Sequence, residues 1–427
     1  MTVPVPPTVP DPGGLVLAPF RALRYAATGP ELAAMTSPPY DVIDAEQRAV
    51  LEAASPHNVV GLILPRDEDG PGSRYGLAAR TLAGWRRDGT LVLDAEPALY
   101  VYEESVGGHV QRGLVGALGL TPTETGVVLP HENTMAGPVA DRLALTEATE
   151  ANLEPIFLVY EGGGTAAAAV RAAAAREPLV TTATLDGVTH RLWSLTDPAG
   201  LAEVAADLLP RRAVIADGHH RYATYLQHQR DRHASGDGAG AWDYGLALLV
   251  DATGFGPQVH AIHRTVAGLP VRDAASRAEA VFMVRRLGED MDSALAELRR
   301  AGAGGAAYLL ADSQDRFLLT RPDRAAVDRV VPLDRSPAWR GLDVTIAHRL
   351  LISKLWGLTD TEDVVGFAHD VPAALAAVGD GGTALLLNPT PVEAVTAVAA
   401  AGDRMPRKST LFTPKPRTGL VLRPFDA

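Results

Sequence analysis

Short apolar runs alternate with turn-forming residues and with stretches of helical periodicity along the chain. Apolar runs that flank a Gly-Gly or an Asp-Gly turn predict β-hairpins, as at 98–120 and 180–196. Apolar residues that recur every three or four positions predict helices, as at 73–90. The continuous apolar run at 58–65 lacks this period, and we expect a short buried strand there. A further helix is expected to begin near Val139.

The order of these elements predicts the fold class. Strands and helices alternate irregularly and several strands form hairpins, which favours a mixed α/β fold with a partly antiparallel sheet and helices packed on it. No G-x-G-x-x-G pattern follows a strand, and no Walker motif occurs. We expect a flexible leader over 1–14, an N-terminal α/β lobe over 15–200 and a C-terminal α/β lobe over 201–427, or one compact unit in place of the two lobes.

Composition and charge narrow the classes of function. The chain has 427 residues, a net charge of −12 and no cysteine. The negative charge argues against nucleic acid and anionic membranes as partners, because such binders carry a basic face. Without cysteine, disulfides and thiolate catalysis are excluded. No apolar run approaches the roughly 18–20 residues of a membrane span, and the N-terminus lacks the features of a signal peptide. We therefore expect a cytoplasmic protein, while the sequence indicates no oligomeric state.

Three basic or titratable side chains follow one another where an apolar strand turns into a helix. Asp217 and Gly218 form the turn, and His219, His220 and Arg221 occupy the first helical turn. Free N–H groups and the helix dipole favour an anion there, whereas basic side chains alone oppose the dipole. We therefore predict that Gly218, His219, His220 and Arg221 bind a nucleotide phosphate, with Asp217 and His220 as catalytic candidates. The alternative is a packed His219 and an Arg221 that pairs with a carboxylate.

A loop that follows a proline, within 129–143, supplies the next candidates. Glu132 is the first candidate for a general base that activates an acceptor hydroxyl, or for a Mg²⁺ ligand. Arg142 opens a helix and can reach a phosphate. His131 and the nearby Asn152 are expected at the substrate, Asn152 as a residue that orients a loop. The alternative is an ordinary loop with a helix-capping acid.

A pair of prolines, Pro38 and Pro39, precedes Asp41 and forces an extended, rigid backbone. From this loop Asp41 can bind Mg²⁺ or a substrate amine. The alternative for Asp41 is the ordinary role of an aspartate that forms a turn. Both interpretations stay open at the level of the sequence.

Lysine is rare in this chain, and its distribution marks the tail. Only three lysines occur, and two of them lie within 405–419, whereas arginine supplies the other basic residues. A compact ammonium suits a phosphate oxygen in a tight pocket. We predict that Lys408, Ser409, Thr410 and Lys415 contact a phosphate and that the tail folds back to the helix of the Asp-Gly-His-His-Arg motif. The alternative is a solvated basic tail.

This motif, DGHHR at the start of a helix, resembles the phosphate-binding motif of the ParB/sulfiredoxin-like superfamily, which includes free-serine kinases. The whole chain more specifically resembles the family called domain of unknown function 1015. The resemblance covers nearly all of residues 15–424 and is carried by the segments PFRALRY, PPYDVI, NVVGLILP, LPHENT, DRLAL, PIFLVY, ADGHHRYATY and MPRKSTLFTPKPRTGL.

The resemblance implies nucleotide chemistry with ATP or ADP and Mg²⁺. It favours phosphoryl transfer to a small hydroxylated metabolite, such as free serine. The absence of cysteine excludes the redox role of the sulfiredoxins. The alternative function is a nucleotide-binding or nucleotide-hydrolysing regulatory protein of the ParB type, without kinase activity towards a small molecule.

Overall fold

The computed structural model describes residues 13–67, 73–288, 290–359, 361 and 363–427. The expected leader, up to residue 12, lies outside the described residues. The described chain forms two units. The first unit extends to Pro257 and also includes Pro414–Ala427, and the second unit is Gln258–Thr413. This division differs from the boundary near residue 200 that the sequence predicts.

A mixed sheet of nine strands forms the centre of the first unit, among the described residues. In the order in which they pair, eight of the strands are Val128–Leu129, Ala213–Asp217, Ile156–Tyr160, Tyr244–Asp251, His109–Gly119, Leu99–Val106, Thr189–Leu195 and Val180–Ala183. The ninth, Leu17–Ala18, pairs with His109–Gly119. Two of the pairings are parallel and the others are antiparallel. The predicted mixed α/β fold is thus confirmed.

Helices pack on this sheet and enclose its apolar side chains. Those that contribute to the core of the sheet are Gly164–Ala174, Pro198–Leu208 and His219–Ala234. The other helices of the unit are Gly29–Met35, Ala45–Ala54, Val60–Ile63, Ser73–Arg87 and Ala136–Thr149. The core joins strand residues such as Leu99, Ile156 and Ile215 to helix residues such as Val170 and Tyr222. Short 3₁₀ turns occur at Tyr40–Val42, Thr123–Thr125 and Ala241–Asp243. Two short strand pairs complete the unit, Leu23–Tyr25 with Leu91–Leu93 and Ala151–Asn152 with Arg423–Pro424.

Two predicted elements of the first unit need correction. The run at 58–65 is not a strand, because Val60–Ile63 is a helical turn. Asn58 starts this turn by accepting a hydrogen bond from Val60 N at 2.9 Å, and a largely buried apolar run has no polar face that would reveal its period. The helix expected near Val139 begins at Ala136. Pro138 is tolerated in its first turn because the N–H groups there have no partner within the helix.

The second unit is built on an antiparallel sheet of six strands. In pairing order they are Met283–Arg286, Arg316–Thr320, Ala307–Ala311, Thr383–Leu387, His263–Val266 and Val365–Ala368. Gln258–His260 and Leu411–Thr413 form a separate antiparallel pair. The helices are Val271–Ala278, Met291–Gly302, Arg324–Val330, Pro337–Arg340, Asp343–Ile346, Val371–Val378 and Val392–Ala400, with a π-helix at Ala347–Leu355 and a 3₁₀ turn at Gly379–Gly381. In the described part of the chain, no helix is both long enough and apolar enough to span a bilayer.

Candidate functional site

The Asp-Gly turn of the motif places a strand end and a helix start next to each other. The strand ends at Asp217 and the helix begins at His219. Gly218 joins them with a φ of +95°, a backbone region that L side chains avoid. A Cβ at this position would also lie 3.1 Å from Arg221 Nε. The turn therefore requires glycine both for its backbone and for the close approach of Arg221.

Arg221 is a buried cation whose terminal nitrogens already have protein partners. Its side chain forms a salt bridge with Asp217 and donates a hydrogen bond to the Pro155 carbonyl. Burial alone would lower the pKa of Arg221, but Asp217 and Glu154 raise it above its usual range. The residue is only 3% exposed. The predicted contact of Arg221 with a phosphate stays a prediction, and the structure adds a role in holding the turn together.

The two motif histidines accept hydrogen bonds from the backbone of the loop that carries Glu132. His219 Nε2 accepts from His131 N at 3.2 Å, and His220 Nε2 accepts from Met135 N at 3.0 Å. A ring nitrogen that accepts an N–H carries no proton, so both imidazoles are neutral in this arrangement. Burial also lowers the pKa of His220. Their predicted phosphate contacts stay predictions, and what the geometry shows is that they anchor this loop.

Glu132 lies beside the motif on the anchored loop. Its carboxylate oxygens are 3.9 Å from His131 Nε2 and 3.9 Å from His219 Nδ1. The two imidazole rings pack edge to face with centroids 4.5 Å apart. The Glu132 side chain is 40% exposed, whereas both histidines are buried. The arrangement presents one carboxylate to the exterior beside a buried pair of rings, where an incoming hydroxyl can reach it.

Lys415 connects the tail to the motif within the first unit. Its Nζ is 2.6 Å from Asp217 Oδ1 and 3.5 Å from Asp41 Oδ2. Burial alone would lower the pKa of Lys415, but Asp217 and Asp41 raise it, so the ammonium stays charged. Asp41 lies in the 3₁₀ turn Tyr40–Val42 that follows the two prolines. The expectation that a lysine of the tail meets the motif is confirmed for Lys415, and its contact with phosphate stays a prediction.

Glu154 is a site residue that sequence reasoning missed. This carboxyl is 4% exposed and accepts hydrogen bonds from Tyr40 N at 3.0 Å and Thr418 Oγ1 at 3.3 Å. Burial raises its pKa, although Arg221 and Arg142 act in the opposite direction. The one signal in the sequence is an acidic residue directly before a proline and a strongly apolar run. Glu154 links the loop of Asp41 to the tail.

Arg142 and Asn152 are both buried and bonded to the protein. The Arg142 guanidinium packs 4.3 Å from the centre of the Tyr40 ring and donates to the Ile63 carbonyl at 2.6 Å. The side chain of Asn152 accepts from Leu246 N at 3.1 Å, which agrees with a residue that orients backbone. Their predicted contacts with phosphate and substrate stay predictions.

Lys408, Ser409 and Thr410 belong to the second unit. Lys408 is exposed and has a φ of +51°. Ser409 is buried, and its hydroxyl donates to the Pro406 carbonyl. Within their own unit these residues form a local turn, and their predicted phosphate contacts stay predictions.

Comparison with known proteins gives one family and several distant structures. The family described as "Protein of unknown function (DUF1015)" matches residues 17–345. No curated protein matches the chain. Among solved structures, SbnI with a C-terminal truncation from Staphylococcus aureus has a TM-score of 0.35 and 9% identity, covering 72% of this chain and 87% of that chain. A free serine kinase variant in complex with ADP has a TM-score of 0.32 and 11% identity, covering 69% and 89%. A conserved hypothetical protein from Pyrococcus furiosus has a TM-score of 0.30 and 13% identity, covering 67% and 87%.

Proposed function

The chain belongs to the family described as "Protein of unknown function (DUF1015)", and from its candidate site we propose that it is a nucleotide-dependent phosphotransferase. The acceptor is a small hydroxylated metabolite, and free serine is the first one to test. The donor is ATP or ADP with Mg²⁺. The observation that carries the proposal is the meeting of Lys415 with Asp217 and Asp41 at the start of the motif helix.

Phosphoryl transfer depends on positioning and on charge rather than on covalent chemistry by the protein. A cation has to face the transferred phosphoryl group, and a carboxylate has to orient the attacking hydroxyl. Lys415 supplies the cation and stays charged because of its two aspartates. The first N–H groups of the helix that begins at His219 add donors for phosphate oxygens. These groups lie together although their positions in the sequence are far apart.

Glu132 is the proposed base for the acceptor hydroxyl, and Asp217 is the second candidate. Glu132 is the more exposed of the two carboxylates and lies beside the imidazoles of His131 and His219. Asp217 is already paired with both Arg221 and Lys415. Asp217 is occupied in holding these two cations at the start of the motif helix, whereas the more exposed Glu132 carboxylate can be reached by an acceptor hydroxyl. This difference assigns acceptor activation to Glu132 and positioning of Lys415 to Asp217.

Mg²⁺ would be held largely by the nucleotide itself. Among the described residues, no group of three or more His, Asp or Glu side chains is arranged to hold a metal ion. Mg²⁺ commonly takes one or two carboxylates and completes its shell with phosphate oxygens and water. Asp41, whose side chain is partly exposed beside Lys415, fits such a site, and Glu132 is the alternative ligand. When bound, the ion would neutralise charge on the phosphates.

The test is an acceptor screen with two lysine variants, one at the site and one control at an exposed position. The full chain is incubated with ATP or ADP, Mg²⁺ and a pool of hydroxylated amino acids, and phosphorylated products are identified by mass spectrometry. We expect a product that Lys415→Met abolishes and that Lys354→Met, at an exposed lysine of the second unit, leaves unchanged. If nucleotide is cleaved without any phosphorylated acceptor, the regulatory alternative replaces the kinase. Full activity of Lys415→Met would refute the assigned site.

A further inference from the structure

A cluster of buried polar side chains lies in the sheet of the first unit, outside the candidate site. Its members are Tyr102, Glu104, Gln111 and His190, all of them nearly inaccessible to solvent. Gln111 Nε2 donates to Glu104 Oε2 at 2.7 Å, and Tyr102 Oη lies 2.8 Å from His190 Nδ1. Buried polar groups are costly compared with apolar ones and persist where they fix a specific arrangement.

The cluster bonds to the tail on both sides of Lys415. Gln111 Nε2 also donates to the Pro414 carbonyl at 3.1 Å. Tyr102 Oη accepts from Arg417 N at 3.2 Å. The backbone is thus hydrogen-bonded to the cluster one residue before Lys415, at Pro414, and two residues after it, at Arg417. These two hydrogen bonds join the sheet to the segment 414–418, called here the tail segment.

The sequence of the tail segment makes it depend on such side-chain contacts. Pro414 and Pro416 have no N–H, so the positions on both sides of Lys415 cannot donate to a backbone ladder. Within the tail segment, Thr418 exchanges two backbone hydrogen bonds with Ser37, of 3.1 and 2.9 Å. The prolines also restrict the backbone, so a contact at either end limits where the Lys415 side chain can start.

We propose that Gln111 and Tyr102 are positioning residues that hold the tail segment and thereby place the Lys415 ammonium between Asp217 and Asp41. The inference deepens the proposed function, since it names what orients its phosphate-binding lysine. For catalysis it rests on that function, but the placement of Lys415 can be tested without nucleotide. Neither positioning residue touches the substrate in this proposal.

The test is acetylation of the folded protein with limiting acetic anhydride, followed by mass spectrometry. The chain offers a built-in reference, because Lys354 is exposed and lies in the second unit. In the wild type we expect slow labelling of Lys415, whose side chain is 20% exposed and paired with two carboxylates. The quantity compared between variants is the ratio of Lys415 labelling to Lys354 labelling.

Gln111→Met and Tyr102→Phe should each raise this ratio by about fivefold, the factor that corresponds to the loss of one buried hydrogen bond. Gln314→Met, at an exposed glutamine of the second unit, should leave the ratio unchanged. Labelling is carried out in a buffer in which circular dichroism shows that each variant is folded, so that global unfolding does not contribute to the labelling ratio. An unchanged ratio in both Gln111→Met and Tyr102→Phe overturns the proposal.

The outcome is separable from that of the acceptor screen. If no phosphorylated product is found but the ratio rises, the positioning role stands and the proposed function falls. If a product is found but the ratio does not move, the function stands and the positioning role falls. If the protein is active, Gln111→Met and Tyr102→Phe should each lower kcat and also raise the ratio of Lys415 labelling to Lys354 labelling. A purely structural role would change only the stability of the folded chain.

Discussion

Replacing Glu104 with glutamine should remove a pH dependence of stability that the structure places at one carboxyl. Glu104 is completely enclosed, and burial raises its pKa from 4.5 to about 8. Hydrogen bonds from Tyr102 and Gln111 and the charge of Arg417 act against this rise, while Asp186 adds to it. Burial lowers the pKa of the neighbouring His190 from 6.5 to about 4. The two groups therefore have opposite effects on stability.

Because Glu104 holds its proton more tightly in the folded chain, its contribution to stability is greatest below pH 4.5 and is lost as the pH rises towards 8. His190 resists protonation when folded, so its contribution is present above pH 6.5 and is lost as the pH falls towards 4. The two slopes oppose each other up to about pH 6.5, and above it only Glu104 of this pair titrates. Between pH 6.5 and 8 the expected loss is about 2 kcal/mol.

Glu104→Gln keeps the shape of the side chain and an oxygen that can accept from Gln111, but it cannot ionise. The measurement is urea unfolding of the wild type and the variant at pH 6.5 and pH 8. We expect the free energy of unfolding of the wild type to fall by about 2 kcal/mol more than that of the variant over this interval. The difference between the two chains cancels the titrating groups that do not contact Glu104. Parallel changes in both chains would show that Glu104 is ionised throughout and would refute the reasoning.

Three further substitutions test the motif and its loop. Glu132→Gln should lower kcat by about a hundredfold while the nucleotide Kd, measured by calorimetry, stays the same; full turnover would make Glu132 structural. Gly218→Ala should cost about 1–2 kcal/mol in thermal unfolding because of the positive φ, and a stability equal to the wild type would contradict this backbone. Arg221→Ala should cost about 3 kcal/mol, because it removes a buried partner of Asp217. Arg230→Ala, on the exposed face of the same helix, is its control and should change stability little.

Many elements of the fold could be predicted from local sequence patterns. The hairpin at 98–120 could be predicted because two glycines, both with positive φ, separate its strands. The helix that starts at Ala45 could be predicted from Asp44, which forms a capping box with Gln47. The turn at Val60–Ile63 could not, since three of its four residues are buried and its start depends on Asn58. Local polar signals survive in a sequence, whereas burial on all sides removes them.

The candidate site shows the same division between local and long-range information. Two signals stand out by composition alone, namely the strand-to-helix motif at 217–221 and Lys415, one of three lysines in the chain. Both lie in the candidate site. Glu154 belongs to no motif, and its role comes from contacts with Tyr40 and Thr418, which are distant in sequence. The histidines could be located from the sequence but not their function, because accepting a backbone N–H depends on where the neighbouring loop lies.

The candidate site is completed late during translation, because the tail segment that carries Lys415 is synthesised after the second unit. The strand ending at Asp217 and its motif helix, His219–Ala234, leave the ribosome before the second unit, and Lys415 follows about 180 residues after the end of this helix. At about 5–20 residues per second, this delay lasts roughly 9–36 s. During that time the nascent chain holds the two aspartates without the ammonium that pairs with them. A chain interrupted anywhere within 258–413 therefore keeps the motif but lacks Lys415, so on the proposed function only a chain translated past Lys415 transfers phosphate.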